Sequence, residues 1–414
     1  MKIKIRSIDQ KGEKMKFIKS TRIYTENGIV DGFVGIKDGK VASIVTGSLD
    51  EPYEDYGDQR IIPGIIDTHN HGAFGYRFAQ CNTEDEVVAC LLGQASCGVT
   101  GIFPTVNKAE HFPILADVAE KEISGAKILG IHSEGPWGSR VGEKGDPKNT
   151  YYVPVDLNYA KKMYEAGRGW LKLVAIAPEV DKALEAIRYF KSVNVTTSAY
   201  HTNANYAEAN IGIDNGISVA THLGNVMTGL HHRDVGTMGA CILRDEVTCE
   251  LICDGLHVSL PMVKLILRMK DNDKIMMISD NGSFLGAPVG HYQGTKENAN
   301  NDRKTIYVTE EGFVVSESGR LSGSSKPVIY GIKNLVEVLG MDLAEVIKMS
   351  SYNVALKYDL KQRGSIALDN YADLVVIDDD YEVMATFVEG RKVFDKKTTK
   401  VTVNPEFLKS VLPD

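Results

Sequence analysis

A chain of 414 residues with 43% hydrophobic and 25% charged side chains has the composition of an ordinary globular protein. Its formal net charge of −8 excludes a general affinity for nucleic acid or for an anionic membrane, because both need a basic surface. The length allows one large barrel or two to three smaller units.

The chain starts with the polar, basic stretch MKIKIRSIDQKGEK, and no apolar segment typical of a secretory signal follows it. We assign this stretch nothing, and the start of translation stays open between Met1 and Met15. The six cysteines lack CxxC spacing, and most lie in apolar segments, where reduced and buried thiols are common. We therefore predict a cytoplasmic protein with no membrane attachment.

Short β-like runs occupy both ends of the chain. Residues 17 to 62 contain TRIYT and GFVGIKDGKVASIV between turns, and residues after 364 contain ADLVVIDDDYEVMATFVEGRKVF. Neither end has enough strands to bury a face alone. We predict one small β-sandwich domain built from residues 1–62 and 364–414, with residues 63–363 inserted as a second domain.

The inserted region alternates apolar β runs with helical patterns such as VDKALEAIRYFKS, which is typical of repeated βα units. Eight runs are continuous and rich in β-branched residues, as doubly covered parallel strands require. They are IIPGIIDTH, GVTGIFPT, AKILGIHSE, LKLVAIAPE, VNVTTSAYH, ISVATHLGN, VTCELICDGLH and KIMMISDN. The sequence therefore predicts an α/β fold, a (β/α)8 TIM barrel carrying the small β-sandwich domain.

Polar residues gather where these eight runs end. Barrel enzymes collect their catalytic groups at the carboxyl ends of the strands, so residues distant in sequence converge on one mouth. We predict one shared site from the residues at these positions: His69, His71, Glu134, His201, His222, Asp254, His257 and Asp280.

His69 and His71 lie two apart on a strand, so both side chains point the same way and are able to hold one metal ion. Such a pair alone is weak evidence, but Glu134, His201 and His222 supply a second set of imidazole and carboxylate groups. These ligands suit zinc, iron, manganese or cobalt, and a catalytic site keeps a position open for water.

Asp280 follows the apolar run IMMIS, where an ionised carboxylate needs a partner. A metal ion, a bound water and a role as general base are the functional alternatives, and capping of the next helix is the structural one. His132 lies two residues before Glu134 and is interpreted as a hydrogen-bonding neighbour of a ligand. His231 and His232 lie in a loop and are expected to be solvated.

Several segments make the sequence similar to a known family. PGIIDTHNHG, IHSEGPW, AIAPE, SAYHTNA, THLGNVMTGLHHRDVG, CDGLH, ISDN and LSGS resemble the N-acetylglucosamine-6-phosphate deacetylases of the amidohydrolase superfamily, in the family's order. The resemblance implies a β-sandwich with a metal-bearing barrel and a homodimer. It also implies hydrolysis of the acetamide of N-acetyl-D-glucosamine 6-phosphate to D-glucosamine 6-phosphate and acetate.

The resemblance implies that Glu134, His201 and His222 hold a metal ion. Members with an HxH pair bind two ions, so His69 and His71 leave room for a second ion with Glu134 as a bridge. The divalent metal is expected to be zinc, with iron, manganese, cobalt or nickel as alternatives. Lys172 lies at the wrong end of its strand to be the carboxylated lysine of the dihydroorotase and hydantoinase branches.

The resemblance also implies a substrate pocket. Arg233 and His257 are expected to bind the phosphate, with Arg233 supplied by the neighbouring subunit, which fits an acidic protein that must present cations locally to a dianion. Asp280 is expected to accept a proton from the attacking water and pass it to the departing amine. The remaining substrate contacts implied are Asn225, Val226, Leu321, Ser322 and Gly323.

The sequence departs from the family's pattern around the sugar. The loop at Lys144–Asn149 lacks the usual histidine, and Gly224 stands where an aromatic residue is common. Another N-acetylhexosamine, with or without phosphate, or another amide therefore stays open as substrate. A barrel that only binds a ligand is the alternative from a different class.

Overall fold

A parallel barrel forms the centre of the computed structural model, which describes residues 14–139, 154–294 and 304–412. Each strand pairs in parallel with the next one along the chain, and the third strand is interrupted. In chain order the strands are Ile65–Asn70, Val99–Val106, Lys127–Ile128 with Ile131–Glu134, Leu171–Ile176, Thr196–Ala199, Ile217–Ala220, Thr248–Ile252 and Ile275–Ile278. We number them one to eight in this order.

Strands eight and one close the barrel through the residues that follow strand eight. The amide of Asp280 donates to the carbonyl of His69 at 3.0 Å, and the amide of His71 donates to the carbonyl of Asn281 at 2.7 Å. Asn70 and Asn281 form a parallel bridge at the same place. The closure therefore places Asp280 directly beside the HxH pair.

Helices follow the strands and cover the outside of the barrel. Two of them begin at capping boxes, in which Thr83 pairs with Glu86 and Asn205 pairs with Glu208. The α-helices are Glu84–Ser96, Phe112–Ala119, Leu157–Ala166, Ala183–Ser192, Tyr206–Asn215, Gly236–Leu243, Leu260–Met269, Val328–Lys333, Leu343–Ser350, Tyr352–Lys357 and Pro405–Leu408. Across the three described ranges, none of the helices is long and apolar enough to cross a bilayer.

Apolar side chains fill the lower half of the barrel. Ile66, Phe103, Leu173, Val219 and Met276 come from five strands and form one buried cluster. The helix Tyr352–Lys357 adds Val354 and Ala355 to the same cluster and so closes the amino-terminal end. The carboxyl ends of the strands carry the polar residues instead, so we expect the site at that mouth of the barrel.

The two ends of the chain meet in one eight-stranded sheet beside the barrel. Ile18, Val34, Leu374 and Phe387 share its buried core, although they come from opposite ends of the sequence. Its strands are Lys16–Thr25, Gly28–Lys37, Lys40–Thr46, Tyr53–Asp55, Arg60–Pro63, Leu374–Ile377, Val383–Val388 and Arg391–Asp395. The predicted fold class is confirmed, while the boundaries after residues 62 and 363 stay predictions.

A small antiparallel sheet is inserted after strand eight. Its strands are Gly290–Gln293, Thr305–Val308, Phe313–Ser316 and Leu321–Ser324. The ring of Phe407, on the helix Pro405–Leu408, stacks on Tyr292 with the ring centroids 5.3 Å apart. Ser324 bridges to Asn281, so the last strand of this sheet borders the barrel mouth.

A buried ion group joins the barrel to the terminal sheet. The Arg363 guanidinium donates to the carboxylates of Asp373 and Glu389, and its side chain is only 7% exposed. Tyr371 packs against the guanidinium at 4.2 Å. The three charges depend on one another, because an unpaired charge is costly in this environment.

We predict that Arg363→Met destabilises the protein by about 3–5 kcal/mol, because it removes the shared cationic partner of the buried Asp373 and of Glu389. Urea unfolding measures the loss. The matched control is Arg168→Met, which removes an exposed pair with Asp117 and should cost under about 1 kcal/mol. Equal losses in the two variants would contradict this account of the joint.

Candidate metal centre

Six ionisable side chains converge at the carboxyl ends of the barrel strands. Strand one supplies a histidine pair, strand three supplies a glutamate, and the residues after strands five, six and eight supply the rest. The six are His69, His71, Glu134, His201, His222 and Asp280. The structure thus brings together the residues that the sequence analysis selected as metal ligands and general base, and their roles stay predictions.

Glu134 stands in the middle of this cluster. Its Oε1 lies 3.3 Å from His222 Nε2 and 3.6 Å from His201 Nε2. Its Oε2 lies 3.2 Å from His71 Nε2 on the other side. One carboxylate therefore faces two groups of histidines with its two oxygens, which is the arrangement that a bridging ligand needs.

His69, His71 and Asp280 form the second group. The Nε2 atoms of the two histidines are 3.3 Å apart, and Asp280 Oδ1 lies 3.4 Å from His69 Nε2 and 3.3 Å from His71 Nε2. Three donor atoms at these separations surround a space of the size that one ion fills.

The cluster fits divalent cations by its chemistry. Glu134, His201 and His222 offer three donor atoms within 4.8 Å of one another, and His69, His71 and Asp280 offer three more. Neutral imidazole with carboxylate is the ligand set of zinc and of neighbouring first-row metals. Three protein ligands for an ion leave a coordination position for water, which is typical of catalytic sites.

Mutual attraction fixes the charges of the cluster. Burial opposes protonation of His69, but the carboxylates of Asp280, Glu250 and Glu134 outweigh it and raise the pKa to about 10. Burial likewise favours neutral Glu134, yet His71, His222 and His69 hold the pKa of its carboxyl well below the ordinary value. Without a cation the site is thus an array of ion pairs, and metal binding must displace protons from histidine.

The backbone is strained where the cluster is assembled. His201 and His222 have φ of 35°, and Asp280 has φ of 51°, all in the left-handed region that side chains other than glycine rarely adopt. Each such residue costs on the order of 1–3 kcal/mol. The fold retains this strain at three of the six clustered residues, which is typical of functional sites.

A buried polar network that the sequence analysis missed supports the cluster. Asp67 Oδ2 accepts from Ser279 Oγ at 2.5 Å and from Asn70 Nδ2 at 3.0 Å. Gln94 Nε2 donates to Asn70 Oδ1 at 2.9 Å. These bonds join strand one to strand eight just before His69 and Asp280. The available signal was that Asp67 and Asn70 stand close to His69, where the apolar run ends.

The predicted substrate residues of the inserted sheet lie beside Asp280. Leu321, Ser322 and Gly323 belong to its last strand, and the amide of the following Ser324 donates to the carbonyl of Asp280 at 3.2 Å. Gly323 has φ of 86°, and a Cβ there would lie 3.7 Å from the same carbonyl oxygen.

The side chain of His257 is held in place by a neighbouring carboxylate. Its Nδ1 lies 2.8 Å from Asp254 Oδ2, and Ser324 Oγ donates to the same oxygen at 3.1 Å. Burial lowers the pKa of His257, but Asp254 outweighs this and raises it. Asp254, which the sequence analysis selected at the end of strand seven, therefore orients the His257 ring and favours its protonated form.

The other substrate residues predicted lie after strand six. Asn225 Nδ2 donates to the carbonyl of His222 at 3.1 Å, and Val226, with φ of 47°, is 40% exposed. Arg233 is exposed, and its amide donates to His231 Nδ1 at 3.3 Å. Within the described ranges, no hydrogen bond or ion pair joins its guanidinium to the cluster. The loop Lys144–Asn149 lies outside the described residues.

Two further sequence interpretations concern residues near the cluster. His132 packs edge-on against His69 with ring centroids 4.6 Å apart, and its Nδ1 lies 3.0 Å from the carbonyl of Thr68. Burial lowers the pKa of His132 to about 3, so it stays neutral. Lys172 lies in the first half of strand four, and Glu179 beyond that strand accepts from Thr202 and Asn203.

Comparisons with known proteins agree with this geometry. The model of the amidohydrolase family matches residues 60–399. The chain is 30% identical to the N-acetylglucosamine-6-phosphate deacetylase of Bacillus subtilis (strain 168), over 92% of this chain and 97% of that protein. It is 28% identical to an N-acetylgalactosamine-6-phosphate deacetylase of Escherichia coli O157:H7, over 90% of this chain and 98% of that protein.

A solved structure is similar to this chain over nearly its whole length. A variant of N-acetyl-D-glucosamine-6-phosphate deacetylase from Mycobacterium smegmatis, in complex with N-acetyl-D-glucosamine-6-phosphate, superposes with a TM-score of 0.81. It is 26% identical, over 92% of this chain and 99% of that chain. The family model covers most of the sequence and the fold agrees across it, so this chain belongs to the amidohydrolase family.

Proposed function

We propose that this protein hydrolyses the acetamide of N-acetyl-D-glucosamine 6-phosphate to D-glucosamine 6-phosphate and acetate. The observation that carries the proposal is the cluster of four histidines around Glu134, with Asp280 beside it, at the mouth of the barrel. The relative from Bacillus subtilis has that substrate in its name, and the two chains match over nearly their whole lengths.

Two divalent ions are the proposed cofactor, with zinc as the metal. Glu134, His201 and His222 would hold one ion, and His69, His71 and Asp280 would hold the other, with Glu134 as a bridge. A bound cation of this kind lowers the pKa of water towards neutrality and polarises a carbonyl group.

Asp280 is the proposed proton carrier. Although burial favours its neutral form, His69 and His71 hold the pKa of its carboxyl below the ordinary value, so it is ionised and able to accept a proton. It takes the proton from the attacking water and delivers it to the amine nitrogen as the C–N bond breaks. Its backbone also connects to the strand Leu321–Ser324, which would place the sugar beside this carboxylate.

Phosphate recognition is assigned to His257 and Arg233. Asp254 raises the pKa of His257 and so favours the protonated form, with which an anionic group pairs. The Arg233 guanidinium lies on an exposed loop, which supports the proposal that it serves the site of a neighbouring subunit in a homodimer. The six cysteines are free thiols, which supports a reducing cytoplasm as the location.

The galactosamine isomer is the second candidate substrate. The relative from Escherichia coli O157:H7 carries that substrate in its name and matches 90% of this chain. The two isomers differ in the orientation of one hydroxyl, which a pocket distinguishes by hydrogen bonds to the sugar.

The proposed function predicts acetate release from N-acetyl-D-glucosamine 6-phosphate by zinc-loaded protein. The unphosphorylated sugar should react at least about 100-fold more slowly in kcat/KM, because it offers no phosphate to His257 and Arg233. The galactosamine isomer is assayed beside them. Turnover of the galactosamine compound alone would transfer the assignment to that sugar, and turnover of none of the three would refute the proposed function.

Asp280→Asn should lower kcat about 10²- to 10⁴-fold, because the amide accepts no proton from water. Zinc content measured on the same sample separates loss of the base from loss of the metal, since Asp280 also lies within 3.4 Å of both histidines of the second group. Asp117→Asn, at an exposed surface pair, is the matched control and should keep full activity. Undiminished turnover in Asp280→Asn would show that another group moves the proton.

A further inference from the structure

Glu250 is a fully buried carboxylate that the proposed mechanism does not use. It lies on strand seven, in the run Thr248–Ile252, and has no solvent exposure. Burying an ionised carboxylate is costly unless other groups pair with it. Its retention in a fully buried strand calls for a partner.

One oxygen of Glu250 has a hydrogen-bond donor. The hydroxyl of Thr68 donates to Oε1 at 2.6 Å. The other oxygen, Oε2, faces His69 Nδ1 at 3.8 Å. Neither of these two atoms makes a hydrogen bond with any of the described residues. Thr68 therefore fixes which oxygen of Glu250 is left for His69.

The opposite nitrogen of His69 faces the candidate metal centre. Its Nε2 lies 3.3 Å from His71 Nε2 and 3.4 Å from Asp280 Oδ1. A neutral imidazole carries a proton on one nitrogen and a lone pair on the other. A carboxylate beside Nδ1 keeps the proton there and leaves the lone pair at Nε2, as outer partners of histidine ligands do.

We propose that Glu250 is a positioning residue that holds the proton of His69 on Nδ1 and so directs the Nε2 lone pair to the second metal ion. This inference rests on the metal centre of the proposed function and not on the identity of the amide. His201 and His222 serve the other ion, so the effect of Glu250 is confined to the ion at His69, His71 and Asp280.

Thr68 makes a sharp test available. In Glu250→Gln the single amide oxygen accepts from Thr68, so the amide NH2 faces His69 Nδ1 and forces its proton to Nε2, where it blocks a metal. In the double variant Thr68→Val, Glu250→Gln no hydroxyl claims the oxygen, and the amide is free to turn and accept from His69. Thr68→Val alone leaves the carboxylate in place.

The experiment is zinc titration of the metal-free full chain against a chromogenic chelator, with zinc content after gel filtration. We expect Glu250→Gln to weaken the second zinc equivalent about 10- to 100-fold and to leave the first unchanged. Thr68→Val should bind as the wild type does, and the double variant should recover most of the loss. Zinc binding by Glu250→Gln equal to that of the wild type would overturn the proposal.

A second measurement on the wild type keeps the proposal testable if Glu250→Gln fails to fold. Nitrogen-15 NMR of the histidine rings in zinc-loaded wild type reports which nitrogen of His69 carries the proton, with the signal assigned from His69→Gln. A strongly downfield Nδ1 proton, as a hydrogen bond to a carboxylate produces, supports the proposal, and a proton on Nε2, or an Nδ1 proton without such a bond, overturns it. Both measurements omit substrate, so they remain decisive even for a protein that hydrolyses none of the three acetamides tested above.

Discussion

The site depends on one interaction, in which a single carboxylate contacts several imidazole rings at the mouth of the barrel. Glu134 lies within 3.7 Å of four histidines, with Oε1 facing His69, His201 and His222 and Oε2 facing His71. Such a concentration of donors in a partly buried place is stable only when charges compensate one another. The barrel supplies the geometry, because its parallel strands deliver their carboxyl ends to one rim.

The surrounding structure holds this arrangement at a cost. Left-handed backbone at His201, His222 and Asp280 stores strain, and the hydrogen bonds between Asp67, Asn70 and Ser279 tie the closing strands together beneath the cluster. A site for hydrolysis requires a rigid barrel interior beneath polar groups at the mouth. The ligands must stay in place while substrate enters and leaves.

The sequence was enough to predict the barrel and the convergence of the cluster. Eight apolar β runs end in polar residues, such as His222 and Asp280, and this pattern can be recognised from the sequence alone. Glu250 was missed because it lies inside a strand and not at the carboxyl end of one, and its contact with Thr68 joins residues 182 positions apart. The place of Arg233 could not be predicted either, since its loop contains no periodic pattern and its side chain is exposed.

Anomalous diffraction from zinc-loaded crystals, recorded above and below the zinc absorption edge, tests the central claim most directly. The account predicts two peaks about 3.5–4 Å apart, with Glu134 in contact with both. One peak would lie against His201 and His222, and the other against His69, His71 and Asp280. A single peak, or peaks that Glu134 does not contact, would contradict the claim that this carboxylate organises a two-ion centre.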